Sequence, residues 1–466
     1  MRALRTWIFP ISASHPAGAR AIRSLMSVST SVAAADPAIR HTPRRLRECH
    51  DCGLLQAVPA LAPGSRASCL RCDALLRQTR AGSMALPLAL NMAALVLFFL
   101  GAVMTLMSVR TAGQQTVATL LSGPAGLEEG GLWELGAVVV LTTFAIPLAR
   151  VLCILAVLPA LRLRRPPGWT RPVFAWAERL RPWSMIEIYL LGAFVAYVKL
   201  SDMVQVDLGI ALFALVGLMV MVIAADASLD DQAVWEAMER QPPRPSRLER
   251  SAGALGVKLM RIGCHTCGLV SRASPGAHCP RCGFALRHRK RNSVARSWAL
   301  LTAAALLYLP ANIYPVMTVI RLGHGGPSTI IGGVQELLVL GMWPLALLVF
   351  VASIAVPLLK LLGMALLLIG TQRGWRTRLK ERTVLYRVVD LVGRWSMIDI
   401  FMVSILVAVV QFGAIAMVQP GLGATAFAAV VILTMFAAEA FDPRLMWDAA
   451  AAARPAGEGT AAGDHP

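Results

Sequence analysis

The chain has 466 residues, of which 56% are hydrophobic and only 15% charged, with a mean hydropathy of +0.62 and a net charge of +19. That balance excludes a soluble globular protein of this length and points to membrane spans. The basic residues lie in separate short loops without an aromatic platform, which favours membrane orientation and headgroup contact over nucleic-acid binding.

Residues 1–43 carry Arg2, Arg5, Arg20 and Arg23, several serines and no acid before Asp36. They read as a transit-peptide-like or disordered extension, with either Met1 or Met26 as the start. A polar module follows at 44–80, where Cys49, Cys52, Cys69 and Cys72 are spaced C-x2-C-x16-C-x2-C. A second lies at 260–290, where Cys264, Cys267, Cys279 and Cys282 are spaced C-x2-C-x11-C-x2-C. Two residues between cysteines let a tight turn aim both thiolates at one ion, and two such knuckles complete a four-sulfur site. Zn²⁺ is the usual occupant, one per module, with iron or a redox switch as the other readings. Gly53, Gly268 and Gly283 follow a cysteine where the knuckle needs positive φ, and Asp73 fills the fourth such place. Modules this small need the metal for folding. His50, His265 and His278 are not needed as ligands, and Cys153 reads as a core residue.

Apolar segments at 84–109, 132–160, 184–200, 208–225, 298–320, 334–369, 395–418 and 424–440 predict eight spans. The chain repeats itself. At an offset of 210 residues, "GLWELGAVVVLTTFAIPLARVL" lies over "GMWPLALLVFVASIAVPLLKLL", pairing Trp133 with Trp343, Pro147 with Pro357 and Arg150 with Lys360. At an offset of 212, "WSMIEIYLLGAFVAYVK" lies over "WSMIDIFMVSILVAVVQ", pairing Glu187 with Asp399. The expected fold is an all-α polytopic membrane protein of two tandem four-helix modules, 84–226 and 296–441. A four-cysteine ribbon precedes and caps each module, a linker runs through 227–259 and a tail through 442–466. Loops 160–182 and 371–394 hold six arginines and seven Lys/Arg, whereas 110–131, 201–207, 321–333 and 419–423 hold almost none. The positive-inside rule then places ribbons and termini in the cytoplasm.

Charges inside spans are costly and mark candidate sites. Pro357 removes a backbone donor one turn from Lys360, on the face that also carries Ser353, predicting a kink where a carbonyl, a hydroxyl and an amine converge. Thr143, Pro147 and Arg150 repeat the pattern. Asp399 with Ser396, and Glu187 with Ser184, begin the third span of each half. These acids either pair with Lys360 and Arg150 inside the bundles or sit near headgroups against Arg394 and Arg181. Lys199 and Asp202 read as interfacial. Pro310, Asn312 and Pro315 in "YLPANIYPVMTV" predict a broken helix lining a cavity, a feature that span one lacks. "FDPRLMWD" suits a docked cap, with "LDDQAVWE" a weaker counterpart.

Together, the duplicated cysteine ribbons, "LPANIYPVMTV", "VPLLKLL", "RWSMIDIF" and "FDPRLMWD" resemble the paraquat-inducible protein A family of bacterial inner-membrane proteins. The resemblance covers about residues 44–450. It implies rubredoxin-like zinc ribbons, a homo-oligomeric periplasmic tunnel partner built of MCE domains, phospholipid as cargo, and a polar working site that maps onto Ser353, Lys360, Ser396 and Asp399. The expected function is a non-enzymatic lipid-transport subunit with the proton gradient as candidate energy source, and with proton-coupled small-molecule efflux and a membrane-anchored metal or redox sensor as alternatives. No P-loop occurs in the chain.

Overall fold

The structure is a computed structural model that describes residues 45–80, 84–111, 114–163, 165–201, 205–239, 260–274, 276–321, 324–339, 341–410 and 416–452. The extension 1–43, most of the linker 227–259, the end of the tail, Asp202 and the side chain of Lys199 lie outside the description. By internal contacts, residues 46–57 and 61–466 form one unit. The other unit, 1–45 and 58–60, includes only Arg45 and Val58–Ala60 among the described residues.

The first ribbon is two hairpins, β1 (Arg45–Glu48) with β2 (Leu55–Val58) and β3 (Arg66–Ser68) with β4 (Leu75–Gln78). The first half then runs α1 (Ala85–Val103), β5 (Met107–Thr111), β6 (Gln114–Ala118), α2 (Ser122–Glu129), α3 (Trp133–Val140), a π-helical turn (Leu141–Ala145), α4 (Ile146–Ala160), α5 (Thr170–Leu180), α6 (Ile186–Ser201), β7 (Gln205–Leu208), α7 (Ile210–Ser228) and α8 (Asp231–Met238). The second ribbon carries β8 (Met260–Gly263) and β9 (Val270–Ala273). The same order of elements then recurs. It runs α9 (Ser293–Ile313), β10 (Met317–Arg321), β11 (His324–Ser328), α10 (Ile330–Val339), α11 (Trp343–Phe350), a π-turn (Val351–Ala355), α12 (Val356–Gln372), α13 (Leu379–Trp395), α14 (Ile398–Val409), β12 (Ala416–Pro420), α15 (Leu422–Ala440) and α16 (Arg444–Ala452).

The chain is predominantly helical, and among the described residues seven helical segments are long and apolar enough to cross a membrane. The segment expected at 184–200 forms α6, whose 16 residues reach only about 24 Å, short of a bilayer core of about 30 Å. The expected span at 395–418 is merged in the structure with α13, as one apolar stretch Leu379–Val409. The all-α reading also missed two three-stranded antiparallel sheets, β6-β5-β7 and β11-β10-β12, at the ends of the halves far from the ribbons. The cause is local: β5 begins in apolar sequence continuous with α1, so its start was read as the tail of span one.

Each sheet locks the fourth helix of its half onto the first. The turns into α7 and α15 are Gly209 and Gly421, where a Cβ would stand 2.0 Å from the carbonyl oxygen of Thr105 and 2.3 Å from that of Pro315. Beyond these turns α1 packs along α7 and α9 along α15, with the Ser297 hydroxyl donating to the Ala437 carbonyl at 3.0 Å. The halves meet through their third helices. Tyr189 of α6 and Phe401 of α14 are edge-to-face at 5.7 Å, and Gly192 lies against Phe401.

The prolines do less damage than the sequence predicts. Pro147 and Pro357 do not break their helices, because a π-turn just upstream absorbs the missing donor. In the first half the Thr142 carbonyl accepts the Met185 amide at 3.3 Å. Pro310 sits inside the continuous helix α9, where the Asn312 side chain donates to the Tyr308 carbonyl at 2.8 Å. Pro315 lies beyond the helix, in the link to β10.

Each ribbon bonds the half that follows it, through Arg77 and Arg80 in the first and Arg289 and Lys290 in the second, but its cysteine face packs elsewhere. The buried cysteines of the first ribbon share a core with Leu361, Met364, Leu368, Phe441 and Trp447 of the second half. Those of the second ribbon share one with Ile154, Val157, Leu158, Phe174 and Trp235 of the first half. The crossing is pinned by side chains: Arg387 of α13 bonds Asp51 at 2.6 Å and the Cys72 carbonyl at 2.9 Å, and Arg71 stacks over Trp447. On the other side Arg179 of α5 lies over Phe284. Sequence adjacency suggested one ribbon per following module, but burial of the cysteine faces is satisfied by the opposite one.

Candidate functional site

The knuckles form as their residue types predict. In each, the residue after the second cysteine donates its amide to the first cysteine's carbonyl, from Gly53 to Cys49 and Asp73 to Cys69 at 3.0 Å, and from Gly268 to Cys264 and Gly283 to Cys279 at 2.9 Å. All four of these residues have positive φ. The Sγ atoms of Cys49 and Cys72, and of Cys52 and Cys69, are 3.5 Å apart. Those of Cys264 and Cys282 are 3.5 Å apart, and those of Cys267 and Cys279 3.6 Å. A disulfide would bring sulfurs to about 2.05 Å. A tetrahedral ion with bonds of about 2.3 Å sets them about 3.8 Å apart. The geometry fits a four-thiolate metal site in both ribbons, and among the described residues the clusters consist of the four cysteines each. His278 instead faces the Gly283 carbonyl, and His50 faces Asp51. Burial, with Arg444 next, pushes His265 down to about 4, so it is neutral at pH 7. A hydrogen bond from Cys52 draws Cys49 down to about 4, and bonds from Cys267, Cys279 and Cys282 lower Cys264, which supplies each cluster with a ready thiolate.

Glu48, beside Cys49, joins the two ribbons. One carboxylate oxygen accepts the Gly263 amide at 2.7 Å and the other accepts Arg444 of α16 at 2.6 Å. Arg47 reaches the Gly268 carbonyl and Gln232. Thus α16 is the docked cap that "FDPRLMWD" predicts, with Trp447 donating to Thr383 at 3.2 Å. Its counterpart α8 is docked equally firmly, through buried Val234 and Trp235.

Inside the helices the structure separates the expected partners. Arg150 is buried and pairs with Asp226 of α7, not with Glu187, which is exposed. Arg181 completes the first-half cluster, reaching Asp226 at 3.6 Å and Asp231 at 3.7 Å. In the same cluster burial, reinforced by Asp231, raises Glu178 of α5 to about 7 against the pull of Arg181 and Arg150. Thr143 is spent on the Val139 carbonyl at 2.7 Å. In the second half, Lys360 is 2% exposed and donates to the Thr434 hydroxyl at 2.7 Å. It lies over Gly393, and Asp390 is the charge that acts on it. No ion pair joins Lys360 to Asp399 among the described residues.

Asp399 is buried and faces the Ser353 hydroxyl, which the π-turn presents. Its second oxygen, like the Ser396 hydroxyl, is buried without a partner. Both Asp399 and Ser353 line a cavity of about 60 Å³ that ends at Ser328 and Thr329. That is room for a few waters, not for a lipid. A carboxyl on a cavity with room for water can exchange a proton, whereas Arg150 and Arg181 of the first half are held in ion pairs. Sequence reasoning missed Asp226, Thr434, Glu48 and the pair Glu178 and Asp390. The last two were legible in the repeat, since they stand 212 residues apart, as Glu187 and Asp399 do.

The sequence model of the family described as "Paraquat-inducible protein A" matches residues 84–239 and 294–451. The chain is 35% identical over 408 residues to the intermembrane transport protein PqiA of Escherichia coli (strain K12), covering 86% of this chain and 95% of that protein. It is 32% identical over 403 residues to the lipophilic envelope-spanning tunnel protein A of the same organism, covering 86% and 91%. It is 25% identical over 413 residues to a probable intermembrane transport protein of Haemophilus influenzae, covering 87% and 96%. No solved structure matches. The chain belongs to the paraquat-inducible protein A family and is a multi-pass membrane protein.

Proposed function

We propose that this member of the paraquat-inducible protein A family is the integral inner-membrane subunit of an intermembrane lipid transport system. It loads phospholipid into, or receives it from, a periplasmic MCE-domain tunnel protein. In this reading the repeat is two four-helix modules with α6 as the eighth, shortened span, within the boundaries 84–226 and 296–441. The arginine-rich α5 and α13, the ribbons and both termini face the cytoplasm, and the sheets face the partner. The ribbons hold one Zn²⁺ each in a rubredoxin-like fold. The ion would be bound by Cys49, Cys52, Cys69 and Cys72, and by Cys264, Cys267, Cys279 and Cys282. It supplies folding energy and takes no part in transport.

The observation that carries the reading is the asymmetry between the halves. Arg150 is ion-paired with Asp226, Thr143 bonds the Val139 carbonyl and Glu187 is exposed, while Asp399 has no cationic partner among the described residues and keeps an unpartnered oxygen on a cavity beside Ser353. Proton exchange at Asp399, with Lys360 held on Thr434 and Ser396 nearby, couples the proton gradient to movement of the second half. Transfer of labelled phospholipid between vesicles through the partner complex tests this. Asp399→Asn should abolish transfer and Glu187→Gln should leave it intact. Equal transfer by both variants refutes the assignment.

A further inference from the structure

A second space lies on the other side of α10. It is a groove of about 540 Å³ between α10 and α11, lined by Ile331, Val334 and Leu338 on one wall and Trp343, Leu347 and Phe350 on the other. Its size is that of a small-ligand pocket, and among the described lining residues Gln335 carries an amide and the others are apolar or aromatic. Helix α10, capped where the Thr329 hydroxyl accepts the Gly332 amide, is the common wall. Its positions 331, 334 and 338 face the groove, while Ile330, Gly333 and Leu337 face the cavity that holds Ser353 and Asp399.

The first half is built to close the same place. At the 210-residue offset, α2 carries Pro124 where α10 has Val334, and α3 carries Gly136 where α11 has Ala346. A Cβ on Gly136 would stand 2.9 Å from the Pro124 carbonyl oxygen, and one on Gly123 would stand 2.9 Å from that of Ser404. Small residues therefore let α2 lie down on α3 and α14. The outer end of α2 is acidic, with Glu128 and Glu129. The same positions of α10 are Leu338 and Val339, which are 53% and 87% exposed. The apolar end of α10, exposed beside the span Ala346–Gln372, is favoured against hydrocarbon over water.

We propose that this groove is an acyl-chain site, so that the second half takes the cargo lipid by its tail across α10 from the polar cavity. The proposal rests on the lipid-transport reading and names the place where the chain of that lipid is held. The occupant is the acyl chain of a bilayer phospholipid, because the lining offers dispersion contact along its length beside a membrane span and a single side-chain amide.

The test uses the full chain in vesicles of phosphatidylethanolamine and phosphatidylglycerol doped with a phospholipid bearing a photoactivatable acyl chain, with adducts mapped by mass spectrometry. Labelling at Ile331, Leu338 and Phe350 should exceed that at the equivalent Leu121, Glu128 and Val140 by about tenfold, the ratio of one 1.4 kcal/mol step in occupancy. Leu338→Trp, an exposed position that tolerates bulk, should obstruct the groove beside Phe350 and Trp343 and lower labelling at Ile331 and Phe350 toward the first-half level with metal content unchanged. Even labelling of the two halves, or undiminished labelling in L338W, overturns the proposal. If lipid transfer by the wild-type chain persists in that case, the broader reading survives. If the wild-type chain transfers no lipid at all, the broader reading falls independently.

Discussion

Replacing Asp226 by Asn keeps the shape of the side chain and removes the charge that Arg150 faces. Arg150 is 4% exposed, its Nε already lacks a partner, and among the described residues its ion pair is with Asp226 alone. Breaking a buried pair by neutralising one member costs about 3–5 kcal/mol, because the other charge is left stranded. Arg181 also loses a partner, while Asp231 and Glu178 remain close, so the lower end of about 3 kcal/mol is expected. Denaturant titration of the purified protein in detergent measures this. The double variant Arg150→Met, Asp226→Leu should recover most of the loss, since apolar pairs of similar volume replace buried ion pairs at little cost. Exposed Glu187→Gln is the control. If D226N shifts stability no more than that control, within about 0.5 kcal/mol, the pair is not a structural lock and the contrast between halves fails.

Lys360→Met should behave in the opposite way. Stability should stay within about 1.5 kcal/mol, as for a volume-conserving core change, while lipid transfer is lost; retained transfer removes Lys360 from the site. Glu48→Ala cuts the links to Gly263 and Arg444, so both ribbons should release metal faster to a competing chelator. Release from the first ribbon alone would show that they are independent. Glu178 predicts a pH slope. Its folded-state value, raised from 4.5 to about 7 by burial, means the folded chain binds the extra proton. Stability should therefore fall as pH rises from 4.5 to 7, by on the order of 3 kcal/mol at most, and level off above. Glu178→Gln should flatten the curve, and an unchanged slope would assign it to another group.

Much of this fold was legible, because the signals were chemical and local. Cysteine spacing and the positive-φ residue after each knuckle located the four-cysteine clusters, and apolar length located most of the spans. The repeat aligned Arg150 with Lys360 and Glu187 with Asp399. What failed was inference about partners. Span-level reasoning joined charges by depth, but rotation about the helix axis decides contact: Arg150 turns to α7 and Lys360 to α15, leaving Asp399 to the π-turn. A proline reads as a break, yet one wide turn upstream accommodates it. β5 and β10 hid because a strand entered directly from an apolar helix has no polar punctuation.

The exchange of ribbons between halves bears on how the chain is made. The ribbon synthesised first finds its docking surface, Leu361 to Trp447, only when the last helices have emerged. Until then its cysteine face waits uncovered. The first four helices likewise wait for a cap encoded downstream of them. A gene cut between the repeats would therefore yield two fragments that must find each other, and neither would be a smaller version of the whole.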